Sequence, residues 1–185
     1  SHAEYIRDGL NWDQWKENLE LVLQAQSIRS VIVMMTINLL CLFSITEFLD
    51  LILQYKIRFG KSRITWSLNI LRSPAFMAVG VLPEYLIRDC NANLRAWYDK
   101  NLGNRSISEK ERASVARLIA YIDAYGAKKT GSIENNSLQT DFKRFFTQYD
   151  QRRGKKFANT FPAGLVNWYS AIKDYTPPTE QNLDA

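Results

Sequence analysis

Apolar residues recur along this chain with two different periods, and the switch between them marks its elements. After Asn11, the residues Trp12, Trp15, Leu19, Val22 and Leu23 return at the spacing of a helix face, to about Gln26. Asn11 can cap that helix, and Gln14 follows at capping-box spacing. Ser30 to Ile37 then reads SVIVMMTI, mostly β-branched or apolar and without charge. Such a run predicts a strand covered on both faces, as in a parallel sheet. Ser44 and Glu47 predict a second capping box, opening a helix that turns Ile45, Phe48, Leu49, Ile52 and Tyr55 inward. Gly60 stands where its C-terminal cap is expected. From Arg63 to Ile70, apolar Ile64, Trp66, Leu68 and Ile70 alternate with polar residues, the period of a strand. Strand, helix and strand in this order predict a right-handed βαβ crossover.

The remainder reads as helical. Pro83-Glu84 opens a segment to about Leu102 with Leu86, Ile87, Cys90, Leu94, Trp97 and Tyr98 on one stripe. Ser108 and Glu111 begin another, carrying Val115, Leu118, Ile119 and Ile122 to about Tyr125. Gly126 to Asn136 is polar and reads as a flexible linker. Ser137 to about Arg153 presents Leu138, Phe142, Phe145, Phe146 and Tyr149 at helical spacing, and Phe161-Pro162 starts a short aromatic helix through Trp168, Tyr169 and Ile172. The expected fold class is α/β: a partial (β/α) barrel of about two parallel strands with crossover helices over residues 1–103. A helical C-terminal extension follows over 104–175, and the tail 176–185 is expected to be disordered.

A length of 185 residues suits one domain, or one domain with an extension, and an apolar fraction of 46% argues against disorder. Thr36 and Asn38 break the longest apolar run, so it is too short to span a bilayer. A formal charge of +5 permits nucleic-acid binding, but the basic residues are scattered among acids, which favours a solvated surface. Cys41 and Cys90 form no CxxC, zinc or disulfide pattern, pointing to a reducing, cytoplasmic compartment. His2 is the one histidine, which speaks against histidine-based catalysis. The opening, Glu4 to Trp12, runs a polar loop with Arg7 and Gly9 straight into a helix start. It reads like the interior of a longer protein.

In α/β barrels and open sheets, function gathers at the carboxyl ends of the strands. Asn38 follows the first strand, and Asn69, Arg72 and Ser73 lie at or after the end of the second. Amide and guanidinium groups there could hold a polar ligand, Arg taking a carboxylate in bidentate fashion; the competing reading is turn chemistry. Arg7 is a further candidate carboxylate clamp. The cluster Phe142, Phe145, Phe146, Tyr149, Trp168 and Tyr169 could stack planar ligands, but its helical spacing favours core packing. Glu109, Glu111, Asp123 and Asp141 show no distinctive acid–base pairing, and no GxGxxG, P-loop, GxSxG or HExxH occurs.

Three segments together resemble the C-terminal half of a radical S-adenosylmethionine (SAM) protein of the twitch-domain type. EYIRDGLNWDQWKENL at Glu4 to Leu19 is similar to the loop and helix after the fourth barrel strand. MMTINLLCLFSITEFLDLIL at Met34 to Leu53 resembles the fifth strand and its helix, and SLNILRSPAFMAVGVLPEYL at Ser67 to Leu86 the sixth strand and its loop. DFKRFFTQYDQRRGKKFANTFP at Asp141 to Pro162 is similar to the C-terminal helix of such proteins. By this resemblance Arg7 matches an arginine that often contacts the SAM carboxylate, and Asn38 the asparagine ending the fifth strand. Cys41 stands where many relatives carry a second asparagine. The family's CxxxCxxC loop, which binds a [4Fe–4S] cluster, is absent, as is its glycine-rich SAM segment.

The resemblance therefore implies that SAM and the [4Fe–4S] cluster belong to an intact parent, this chain alone binding neither. The chain would supply part of the SAM pocket and the substrate-side cap for 5′-deoxyadenosyl-radical chemistry, and be inactive on its own. The alternative is a non-catalytic half-barrel module that binds a protein partner or small ligand. Expected partners are a missing N-terminal half, a complementary chain, or a second copy joined through sheet edges. A membrane or nucleic-acid partner is not expected.

Overall fold

The computed structural model describes residues 1–126 and 133–173. Its first element is a short helix where the pattern predicts only a loop. In α1 (His2–Ile6) a capping box closes the N-terminus: the Glu4 N–H donates to Ser1 Oγ at 3.3 Å, while Glu4 Oε2 accepts from the Ser1 amino group at 2.9 Å. Five residues are too few to show a period, so only burial of Tyr5 betrays the turn. Asn11 caps α2 (Trp12–Gln24) as expected, its Oδ1 accepting the Gln14 N–H at 3.0 Å. The reciprocal arm of that box is missing because the Gln14 amide turns to Glu17 and Asn18.

Two parallel strands, β1 (Val31–Ile37) and β2 (Ile64–Ile70), pair in register from Val31 opposite Ile64 to Ile37 opposite Ile70. Between them runs α3 (Ile45–Phe59), closed by Gly60 at φ 107°, a conformation that suits glycine. Its entry corrects the expected second capping box. Ser44 makes no side-chain cap bond; its N–H donates to the Cys41 carbonyl, prolonging a 3₁₀ turn at Cys41–Phe43.

A second correction concerns β1, which is not covered on both faces. Val31, Val33, Met35 and Ile37 pack on the core, whereas Ile32 and Met34 are 63% and 73% exposed. Parallel partners point the same way, so Ile32 and Thr65, Met34 and Ser67, and Thr36 and Asn69 share one face. No described element covers it. Residues Ile64, Trp66 and Leu68 face the opposite side and are buried.

Beyond β2 come α4 (Glu84–Lys100) and α5 (Glu109–Gly126). Ser108 and Glu111 form the capping box their spacing predicts: the Glu111 N–H donates to Ser108 Oγ at 3.3 Å, and the Ser108 N–H to Glu111 Oε2 at 2.8 Å. The boundary expected near residue 103 falls in the turn between these two helices, which pack on each other, and α5 also packs on β2. The helix α6 (Ile133–Arg153) starts before the expected Ser137, so the end of the predicted linker is helical. Residues 127–132 of that linker and the tail 176–185 lie outside the described residues. Two short helices follow, α7 (Phe157–Thr160) and α8 (Ala163–Ala171).

The aromatic stripe of α6 is chiefly core, as its spacing favours. Phe142, Phe146 and Trp168 are buried and joined by Phe157, Phe161 and Tyr5 from either end of the chain. Phe145 is instead exposed beside Phe76, in the loop after β2. Among the described residues no helix is long and apolar enough to cross a membrane.

Candidate functional site

The sheet has two edges, and they differ. The Val31 N–H donates to the Arg63 carbonyl and the Leu71 N–H to the Ile37 carbonyl, each at 2.9 Å. Backbone groups alternate sides along a strand, so those of Ile32, Met34 and Thr36 face away from β2, and those of Ile64 and Trp66 face away from β1.

On the β2 side a buried ion pair takes two of these groups, the Ile64 carbonyl and the Trp66 N–H. Lys56 Nζ donates to the Ile64 carbonyl at 2.9 Å, to the Lys61 carbonyl at 3.0 Å and to Glu111 Oε1 at 2.7 Å. Glu111 Oε1 also accepts the Trp66 N–H at 3.2 Å, while Oε2 accepts the Ser108 hydroxyl at 2.7 Å. Side-chain exposure is 0% for Lys56 and 2% for Glu111. All three ammonium protons and both carboxylate oxygens have partners, the condition under which a buried pair is tolerated. On the β1 side, the sole contact to these outward groups among the described residues is Cys41 Sγ, 3.6 Å from the Thr36 carbonyl.

At the carboxyl end of the sheet the structure gathers four of the five candidates read from the sequence. Asn38 is buried; its Oδ1 accepts the N–H groups of Leu40 at 2.9 Å and Cys41 at 3.1 Å. That is turn chemistry, but Nδ2 has no partner among the described residues and is left to donate elsewhere. Asn69 is exposed on the open face beside Thr36. Arg72 and Ser73 follow β2 and are exposed, with a cis bond at Ser73-Pro74. Burial, then neighbouring Tyr125, push the Tyr121 hydroxyl upward, and the charge of Arg72 acts against them, which places Arg72 near α5.

Arg7 stands apart. It is the exposed C-cap of α1, its N–H donating to the Ala3 carbonyl at 2.9 Å, and its guanidinium makes no hydrogen bond or ion pair among the described residues. Its neighbour Asp8 pairs with Arg153 at 2.6 Å and Lys155 at 3.0 Å, and Tyr5 donates to Asp150 Oδ1 at 2.6 Å. The loop is thereby tied to the end of α6.

Both thiols are free, Cys41 after β1 and Cys90 on α4. Burial pushes the Cys41 thiol up and that of Cys90, on α4, to about 12, so both stay protonated at neutral pH. Among the described residues no three His, Cys, Asp or Glu side chains are grouped to hold a metal ion. Lys56 is the residue that sequence reasoning missed. Its signal was a lysine on the apolar stripe of α3, one turn after Ile52.

Compared with protein-family models, curated proteins and solved structures, the chain matches none.

The two roles of Asn38 separate by substitution. Asn38→Ala is expected to cost ~1–2 kcal/mol in urea unfolding, because two backbone N–H groups lose their acceptor. Asn38→Asp keeps the acceptor for both N–H groups and should cost less than Asn38→Ala, while losing the outward donor.

Proposed function

We propose that this chain is the C-terminal part of a radical SAM enzyme, its strands being the last two of a partial (β/α) barrel. The observation that carries this reading is the inequality of the sheet edges. Lys56 and Glu111 cap two outward backbone groups of β2, while the edge and one face of β1 are open. In this reading the missing barrel strands pair beside β1, the less occupied edge. The open face would then line the barrel lumen. Along it, apolar Ile32 and Met34 give way to Thr36, Ser67 and Asn69 toward the carboxyl end, where a polar ligand is expected.

In this reading Asn38 contributes its amide N–H, and Asn69, Arg72 and Ser73 add donors for the polar end of SAM or of a substrate. Arg7 serves from the α1–α2 loop as a carboxylate clamp. Bound in the intact enzyme, SAM supplies a hydrogen-abstracting radical. The thiols of this chain do not fit the [4Fe–4S] cluster, which upstream cysteines would hold. A stand-alone half-barrel that takes a protein partner on the same edge is the second reading. A continuous buried core from Tyr5 to Ile172 favours it.

The coding DNA upstream of Ser1, with the intact mass of the native protein, tests both. An in-frame CxxxCxxC segment is expected there. The longer product, loaded with iron and sulfide, should bind SAM, and Asn38→Asp should weaken that binding about tenfold without unfolding the protein. A start codon at or just before Ser1, with a native mass matching 21.4 kDa, would remove the enzyme reading and leave the partner-binding module.

A further inference from the structure

We propose that the surface where α6 ends binds single-stranded nucleic acid. The densest run of cations in the sequence, Arg152-Arg153-Gly154-Lys155-Lys156, lies there. Gly154, at φ 61°, turns the chain between α6 and α7, so four cations surround one bend. Such a run is of the kind that meets phosphate. No residue of the open sheet face takes part.

Charge alone would leave a solvated surface. What adds to it is a row of aromatic rings leading to the bend. Lys155 Nζ stands 5.5 Å from the centre of the Tyr149 ring. Tyr149 stacks on Phe145 at 6.1 Å with planes 20° apart, and Phe145 meets Phe76 at 5.3 Å. Phe145 is 45% exposed, although Phe142 and Phe146 on the same helix are buried. The core closes without the Phe145 ring.

Two acids beside the bend are already engaged. Asp8 holds Arg153 and Lys155, while Asp150 accepts the Tyr5 hydroxyl and the Phe157 N–H. The side chains of Arg152 and Lys156 are exposed and have no partner among the described residues. Asp141, one turn before Phe145, is the exposed acid at the far end of the row. Phosphate suits the free cations, and an exposed ring beside them suits a planar base. A duplex supplies phosphate but hides the faces of its bases. A membrane needs a broad apolar face, and Phe145 is the one well-exposed apolar ring of α6 among the described residues. A single strand offers phosphate and open bases together.

The test uses the full chain and a fluorescein-labelled oligothymidylate of about 12 nucleotides, within the site sizes of single-strand binders, read by anisotropy. Binding should fall in the micromolar range at about 50 mM salt and weaken steeply as salt rises. Phe145→Ala should weaken it about tenfold and leave the salt slope unchanged, because stacking and not phosphate contact is lost. Arg152→Ala with Lys156→Ala should also weaken it about tenfold, and should lower the slope by about 1.4. All three positions are exposed, so the fold is kept, which thermal melting checks. Arg105→Ala, in the turn between α4 and α5, should alter neither affinity nor slope. No rise in anisotropy at about 100 µM protein would overturn the proposal. So would undiminished binding by Phe145→Ala, equal affinity for the same strand paired with oligoadenylate, or binding only to vesicles of anionic lipid.

Discussion

Replacing Lys56 by Met is expected to lower the unfolding free energy by ~3–5 kcal/mol, the largest effect of any single polar change in this chain. The methionine fits the volume, so packing is not what is lost. What is lost is the partner of a carboxylate sealed from solvent, together with the donor to the outward carbonyl of Ile64. Glu111 cannot relax toward water, because Ser108, Trp66 and the start of α5 hold it in place. Adding Glu111→Gln to Lys56→Met should recover part of the loss. The amide oxygen still accepts from Trp66, and no charge remains buried. Urea unfolding of the parent, both single variants and the double variant closes the cycle. If the double variant is no more stable than Lys56→Met, the pair is not the energetic unit described here.

Phe142→Ala should cost ~3–5 kcal/mol for a different reason, the cavity left by a fully buried ring. Phe142 lies 4.7 Å from Phe146, 5.4 Å from Trp168 and 6.1 Å from Phe157, centroid to centroid, so one ring ties α6 to both α7 and α8. Phe146 in turn contacts Tyr5 at 5.9 Å. The consequence reaches function. The α1–α2 loop that carries Arg7 hangs on this cluster through Tyr5, so its amides should exchange faster with solvent in the variant. Hydrogen exchange over residues 1–10 reads this directly. Unchanged protection there would show that the Asp8 pairs to Arg153 and Lys155 hold the loop without the aromatic core.

The legible parts of this fold were those with a repeating pattern. The alternation of β2, the stripe of α4, the Gly60 cap and the Ser108–Glu111 box each announce themselves by spacing, and each is found where spacing puts it. The α1 turn was not legible, since five residues hold barely more than one helical period. The open face of β1 was misread because an unbroken apolar run gives no clue to which side is covered; Ile32 and Met34 look like core in sequence. At the site, the strand ends announce where Asn38, Asn69, Arg72 and Ser73 lie, at the carboxyl end of the sheet. The companionship of Lys56 and Glu111 was hidden. The two are far apart in the chain, and only the packing of α5 beside β2 makes them a pair.

The unequal edges of the sheet also bear on assembly. A filament of stacked strands needs every subunit to offer two pairing edges, one to receive and one to pass on. Here a salt-bridged lysine and glutamate take two backbone groups of the second edge, so a copy that docked through β1 would offer a third a strand already partly capped. Exposed as Ile32 and Met34 are, association through β1 would then favour pairs over fibres. The residues that seal the interior would also work against strand-by-strand growth.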